Sequence, residues 1–277
     1  HAREPESMQH LIYYMYWLLE NYNIDPIATY ILNTRELYFL PVYNVDGYVY
    51  NQTTNPNGGG MWRANRHVSS GNCGPVDPNR NYGIYQYWNS SNNGSSTDSC
   101  NGGSGTYRGK YPFSEKETQN VLAFFNSRNF KAVFGAHTYG NYLIKPWAWQ
   151  DPTPTPDDAK FNEYLADMKA TNNYTTGFAS QTVGYTVRGG ADDWYYNDSI
   201  NPSNKVIAIT PETGLTGFWP TQGEILPLAQ GMLESDKYMS LIAGPYVLGN
   251  SVTLNKSTPY TQGESGTVKV KFRNKGL

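Results

Sequence analysis

His1 and Glu4 stand three residues apart, a spacing that brings both side chains to one face of a turn or a first helical turn. An imidazole nitrogen and a carboxylate oxygen together suit Zn²⁺, whose catalytic sites take three protein ligands and leave one position for water. The pair therefore asks for a third ligand further along. His137 answers: it follows the apolar run 130–136, and the carboxyl end of a strand is where open α/β sheets place their chemistry. Taken alone, His-x-x-Glu reads as a solvated surface pair, and a lone histidine after an apolar run as a hydrogen-bonded structural residue. Together they point to a metal.

The elements that must position these groups follow from pattern. Pro5 and Glu6 suit a first helical turn, and Met8, Leu11, Ile12, Met15 and Leu18 continue a helix over 5–21. Residues 37–43 read as a short buried strand with Pro41 at an end or edge, stopped by the turn chemistry of Asn44 to Gly47. Residues 51–109 form a long irregular stretch with two basic islands, around Arg63 and around Arg80. Ser114 reads as the N-cap, with Glu117 completing a capping box, of a helix running to about 126. A strand over 130–136, a helix over 157–170, a loop over 172–195 and a strand over 206–210 come next, with Glu212 at the last strand's carboxyl end. A helix over 222–242 ends before Gly244-Pro245. Beyond it Val252, Leu254, Val268, Val270 and Phe272 alternate in the β manner. The reading is an α/β catalytic domain over 1–243 and the start of an all-β module over 244–277, with too few residues to close a core.

Composition limits the function classes. The 277 residues suit one large domain, or one plus a partial second. A net charge of −2 with no basic stripe gives no reason to expect nucleic acid, and no apolar run is long enough to span a membrane. No signal-peptide pattern is present, although the chain can begin after one. Twenty-four Tyr, seven Trp and 27 Gly against 16% charged residues suit a loop-rich extracellular protein gripping peptides or sugars; tyrosine also serves simply as an amphipathic residue. Cys73 and Cys100 lie in Gly/Asn/Ser-rich sequence and make one disulfide in a secreted chain, or remain two thiols in a cytosolic one. Glycosylation-type triplets begin at Asn51, Asn89, Asn93 and Asn173; in so Asn-rich a chain they carry little weight.

At this point His1-Ala2-Arg3-Glu4, Trp62-Arg63, Asp77-Pro78-Asn79-Arg80-Asn81, Gly135-Ala136-His137-Thr138-Tyr139, Tyr185 with Gly189-Gly190-Ala191-Asp192-Asp193-Trp194, and Thr210-Pro211-Glu212 together resemble the zinc metallocarboxypeptidases, the carboxypeptidase A and B family, in a secreted, bacterial-type form. The order and rough spacing match from residue 1 to about 243. The resemblance implies a mixed, mainly central twisted sheet flanked by helices. It implies one zinc ion on His1, Glu4 and His137, with Glu212 as the general base on the zinc water and Arg63 as the oxyanion cation. Asn79, Arg80 and Tyr185 resemble the clamp on a substrate's C-terminal carboxylate, and Arg3 and Tyr139 the lining of the next subsite inward. Cys73 and Cys100 fall where animal members carry a disulfide. The substrate implied is a peptide or protein C-terminus, met by a secreted enzyme read here as a monomer. The chemistry of each residue type agrees: a carboxylate relays the proton, and a planar guanidinium grips a carboxylate bidentately.

Three departures accompany the resemblance. Family members carry strands and a helix ahead of His-x-x-Glu, so that piece is expected in the intact protein. Fewer residues separate Glu212 from Gly217-Phe218 than in animal digestive members. Arg188 stands where pancreatic members have a small residue. Asp192 occupies the position that is apolar in A-type and acidic in B-type members, so the terminal pocket is expected to favour Arg or Lys, unless Arg188 neutralises it. Two rivals remain. One is a related zinc amidase on cell-wall peptides, against which Asn79, Arg80 and Tyr185 argue. The other is a non-catalytic peptide-binding module, against which Glu212 and Arg63 argue.

Overall fold

The computed structural model describes residues 1–68, 73–91, 95–98, 100, 105–196 and 206–277. In chain order the elements are α1 (Pro5–Glu20), α2 (Pro26–Thr34), α3 (Val45–Thr54), a 3-10 turn (Pro78–Arg80), α4 (Tyr85–Trp88), α5 (Lys116–Asn126), β1 (Ala132–Phe134), β2 (Tyr142–Ile144), α6 (Asp158–Asn172), β3 (Thr175–Gly177), α7 (Ala179–Thr182), α8 (Ala191–Tyr196), β4 (Ile207–Glu212), α9 (Gln222–Ile242), β5 (Val247–Leu254) and β6 (Val268–Asn274).

β4 organises the sheet. Its Ile207, Ala208 and Ile209 are all buried, the continuous apolar pattern of a strand covered on both faces. It pairs parallel with β1 and antiparallel with β2, and β2 pairs parallel with β3, giving the mixed order β1-β4-β2-β3. Phe161, Tyr164, Leu165 and Met168 of α6 pack on β4 together with Met232, Met239 and Ile242 of α9. A second cluster joins Tyr14 and Leu18 of α1 to Ala28 and Ile31 of α2 and to Leu241. Each such burial contributes roughly 1.5–3 kcal/mol. These two clusters fix α1 against α9 and the sheet, and so fix where the chain's first residues lie.

Several local expectations change. Residues 37–43 are not a strand. Leu37 and Phe39 do turn inward to the second cluster while Tyr38 and Leu40 are exposed, but no ladder pairs this segment among the described residues. Tyr38 instead packs edge-on against Phe124 and Phe130, with centroids 5.2 and 5.5 Å away. The polar residues after it open α3 rather than a turn: Asn44 caps that helix by accepting from the Gly47 N–H at 3.1 Å. Ser114 is not a cap either. Its hydroxyl bonds the Glu115 carboxylate at 2.6 Å, and Asn81 reaches across to accept from the Glu115 N–H and the Thr118 hydroxyl. The stretch 51–109 holds the end of α3, the 3-10 turn and α4, and the loop 172–195 holds β3, α7 and most of α8.

Cys73 and Cys100 form the disulfide, with Cα atoms 4.8 Å apart. Asn51 is buried, its amide tied to the Trp62 backbone, so it presents no glycan acceptor; Asn93 lies outside the described residues. β5 and β6 form an antiparallel hairpin exposed along its whole length. It is held at its base, where Tyr164 donates to the Lys275 carbonyl at 2.7 Å and Lys275 pairs with Asp167 at 2.5 Å.

Candidate metal centre and active-site cavity

Backbone pairing brings the two halves of the site together. The His137 N–H donates to the Pro211 carbonyl at 2.8 Å and the Thr213 N–H to the His137 carbonyl at 2.9 Å. His137 and Glu212 are thereby set side by side at the strand ends. On the other side, Glu4 is the N-cap of α1 and its N–H closes a turn onto the His1 carbonyl at 3.0 Å. His1 Nδ1 lies 2.7 Å from Glu4 Oε1, and His137 Nδ1 2.7 Å from Glu4 Oε2. The candidate ligand atoms of His1, Glu4 and His137 all fall within 4.8 Å of one another. Two nitrogens and a carboxylate oxygen converging with a cavity beside them are the donor set of an open zinc site.

A buried carboxylate orients this corner. Asp77 accepts from Arg63 Nε at 2.9 Å and Nη2 at 2.7 Å, and lies 3.0 Å from His1 Nε2. An outer partner of this kind fixes which ring nitrogen faces the ion. Arg63 keeps Nη1 on the cavity side, 3.7 Å from Glu4. Asp77 also receives the Asn79 N–H, which opens the 3-10 turn that presents Asn79 and Arg80. The sequence reading gave Asp77 no role; its place in Asp77-Pro78-Asn79-Arg80-Asn81 was the available signal.

One cavity is lined by His1, Arg63, Asn79, Arg80, His137, Tyr185, Asp192 and Glu212, with Ile144, Ala148, Ala179, Val183, Val187 and Thr210 as its apolar wall. Glu4 sits behind the histidines, buried. Asn79 bridges to α8 by accepting from the Ala191 N–H at 2.9 Å, and its amide nitrogen is 3.2 Å from His137 Nε2. The tight approach ahead of α8 needs Gly189: at φ +69° a Cβ there would lie 2.1 Å from the Arg80 carbonyl oxygen. Arg3 and Tyr139 do not line the cavity. They meet on Phe218, the guanidinium 4.0 Å above its ring and Tyr139 edge-on at 5.0 Å, a cation–aromatic cluster in which the sequence pattern alone assigns Phe218 no role.

Burial, and after it the Glu4 carboxylate, push Glu212 well above the ordinary carboxylate range, with Arg63 opposing. Burial raises Asp192 too, with Arg80 opposing. A carboxyl so poised exchanges protons nearer neutrality. Neighbouring Asp193 turns away and accepts from the Ala148 and Trp149 N–H groups at 2.8 and 2.9 Å, so the acidic pair divides into one cavity residue and one structural residue.

The comparisons with known proteins meet this geometry. The family model for zinc carboxypeptidases, peptidase family M14, matches residues 1–235. The chain belongs to the zinc carboxypeptidase family. Carboxypeptidase A2 of Mus musculus is 33% identical over 238 residues, 83% of this chain and 54% of that protein. Carboxypeptidase B2 of Homo sapiens is 32% identical over 241 residues, 82% of this chain and 53% of that protein. Among solved structures, thrombin-activatable fibrinolysis inhibitor superposes with TM-score 0.76 at 26% identity, covering 88% of this chain and 60% of that one. The bovine protein, in complex with tick carboxypeptidase inhibitor, gives 0.73 at 26%, covering 87% and 78%. The chain spans about half the length of the curated relatives it matches. Membership carries the carboxypeptidase-like α/β fold and implies zinc, which the donor set at His1, Glu4 and His137 fits. Among the described residues no helix is long and apolar enough to cross a membrane.

Within this zinc carboxypeptidase frame, one rival expectation is overturned. Arg188 does not offset Asp192. Its Nη2 pairs with Asp98 at 2.8 Å and its Nη1 donates to the Ser90 carbonyl at 3.2 Å, away from the cavity lining.

Proposed function

We propose that this protein is a secreted, monomeric exopeptidase that releases the C-terminal residue of peptides, with residues 1–243 as its catalytic unit and 244–277 as the beginning of an all-β module. The observation that carries the reading is the shared cavity: the candidate ligands His1 and His137, Glu212 and Arg63 face the same space as Asn79, Arg80 and Tyr185. His1, Glu4 and His137 would hold one zinc, which when bound would supply Lewis-acid polarisation and a stronger water nucleophile at neutral pH. Glu212 accepts the proton of the attacking water and returns it to the leaving amine, a role its raised pKa favours. Arg63, braced on Asp77, faces the oxygen of the scissile carbonyl as charge develops there. Arg80, Asn79 and Tyr185 receive the terminal carboxylate, which makes the reaction exopeptidic. The last side chain enters the apolar pocket and meets Asp192, so Arg and Lys are preferred termini. The disulfide suits an oxidising compartment.

The intact clamp favours ordinary C-terminal peptides over cell-wall amides, and the presence of Glu212 and Arg63 favours catalysis over binding alone. The test is Glu212→Gln. Zinc content should stay at one ion per chain while turnover of C-terminal arginine peptides falls by about 10³-fold or more. Turnover at the original rate would remove the general-base role.

A further inference from the structure

Two cavity arginines are held in different ways. Arg63 is spanned by the Asp77 carboxylate, which neutralises much of its charge. Arg80 is the more deeply placed, 3% exposed, yet its described partners are both neutral: Nη1 donates to the Asn79 carbonyl at 2.7 Å and Nη2 to the Ser95 hydroxyl at 2.6 Å. Its Nε is buried without a partner. Ser95 also donates its backbone N–H to the Thr186 carbonyl at 3.0 Å, next to Tyr185. One residue thus touches both arms of the site's cationic and phenolic side.

The segment carrying Ser95 is itself well fastened. The Ser96 hydroxyl donates to the Arg188 carbonyl at 3.0 Å, and the Thr97 N–H donates to the Thr106 carbonyl at 3.0 Å. Asp98 pairs with both Arg108 and Arg188, two buried arginines, although Asp98 is itself 63% exposed. The disulfide follows at Cys100.

We propose that Ser95 is the positioning residue of the carboxylate clamp: its hydroxyl fixes the Arg80 guanidinium while its backbone anchors the segment of Tyr185. The inference rests on the exopeptidase reading. A hydroxyl accepting from an ionised donor makes a strong, directional bond. It orients the long arginine side chain through a neutral partner, so no direct ion pair among the described residues has to be broken when a carboxylate arrives. An aspartate at 95 would orient Arg80 equally well but compete with the substrate for it. Pre-organisation of this kind acts on binding of the terminal carboxylate rather than on the proton relay at Glu212.

The experiment uses the full zinc-loaded protein with benzoyl-Gly-Arg and its C-terminal amide. Ser95→Ala should raise KM for the acid about tenfold, with kcat within about twofold and the melting temperature nearly unchanged. The rate preference for acid over amide should shrink by a similar factor. Ser95→Thr, which keeps the hydroxyl, should behave as the unsubstituted protein, and Ser95→Asp should raise KM beyond the alanine variant. An unchanged KM and acid-to-amide ratio in Ser95→Ala would overturn the inference. So would equal impairment in Ser95→Thr, normal binding in Ser95→Asp, or loss of kcat and melting temperature together in Ser95→Ala. Failure of the unsubstituted protein to hydrolyse either benzoyl-Gly-Arg or benzoyl-Gly-Phe would instead remove the exopeptidase reading, and this inference with it.

Discussion

Helix α1 carries two clusters of imidazole and carboxylate, and they have different fates. At its N-terminus His1 and Glu4 meet His137 beside an open cavity, each histidine with an outer polar partner. A turn or so further on, Glu6 and His10 of the same helix are wholly buried against α9, where His10 Nε2 is 3.3 Å from Asp236 Oδ1. Both Glu6 oxygens, both His10 ring nitrogens and Asp236 Oδ2 lack a hydrogen-bond partner among the described residues. Glu6-x-x-x-His10 has as good a ligand spacing on a helix as His1-x-x-Glu4. What separates them is convergence, an opening to solvent and outer partners that aim each ring. Residue type and spacing nominate a metal site; tertiary placement decides it.

The sharpest way to break this distinction is to remove one imidazole from each cluster. His137→Ala should weaken zinc binding by more than about a hundredfold, since even outer-shell losses cost ten- to a hundredfold. His10→Ala should leave zinc affinity within about twofold. Competition titration against a chelator measures both, and a large zinc defect in His10→Ala would merge the two clusters into one site.

The second effect concerns stability. Asp236 and His10 form a sealed pair, and removing one partner of such a pair leaves the other uncompensated. Asp236→Ala should lower unfolding free energy by about 3 kcal/mol in a denaturant titration, with zinc content unchanged. The double replacement His10→Leu with Asp236→Leu should recover most of that loss, because well-packed apolar side chains often replace a buried polar pair at little cost. A double variant as weak as the single one would show that the pair does more than fill space.

How much of this was legible beforehand divides along the same line. The catalytic strands and helices announced themselves by period: α1 and α9 by their apolar stripes, β4 by its continuous run. The site residues were legible because each sits in a short string with unusual chemistry, such as Thr210-Pro211-Glu212 or Asp77-Pro78-Asn79-Arg80-Asn81. Long-range satisfaction was not. Nothing local says that Asn81 rather than Ser114 satisfies the start of α5, or that Arg188 turns to Asp98 instead of Asp192. Nor does a nearly continuous apolar run over 37–43 reveal whether a partner strand lies alongside. Phe218 escaped because a lone aromatic carries no pattern until Arg3 and Tyr139 are seen against it.

A third acidic group, Asp192, refines the comparison with the smallest effect. Like Glu6 it is pushed up by burial, but it lines the cavity, so a substrate bound there would meet its charge state. A carboxyl with a raised pKa remains protonated to a higher pH than a surface carboxyl. Its attraction for a C-terminal arginine is therefore present above that raised value and lost as pH falls through it. The ratio of kcat/KM for benzoyl-Gly-Arg over benzoyl-Gly-Phe should be greatest at alkaline pH and drop, by about tenfold or ~1.4 kcal/mol, as pH is lowered through that raised value. Titration of Glu212 affects both substrates alike and cancels in the ratio. Asp192→Asn should lower the ratio at alkaline pH and make it flat with pH. A ratio that does not fall as pH is lowered, or one below unity throughout, would mean that Asp192 does not select the terminal side chain, and that its elevated pKa is a consequence of burial alone, as for Glu6.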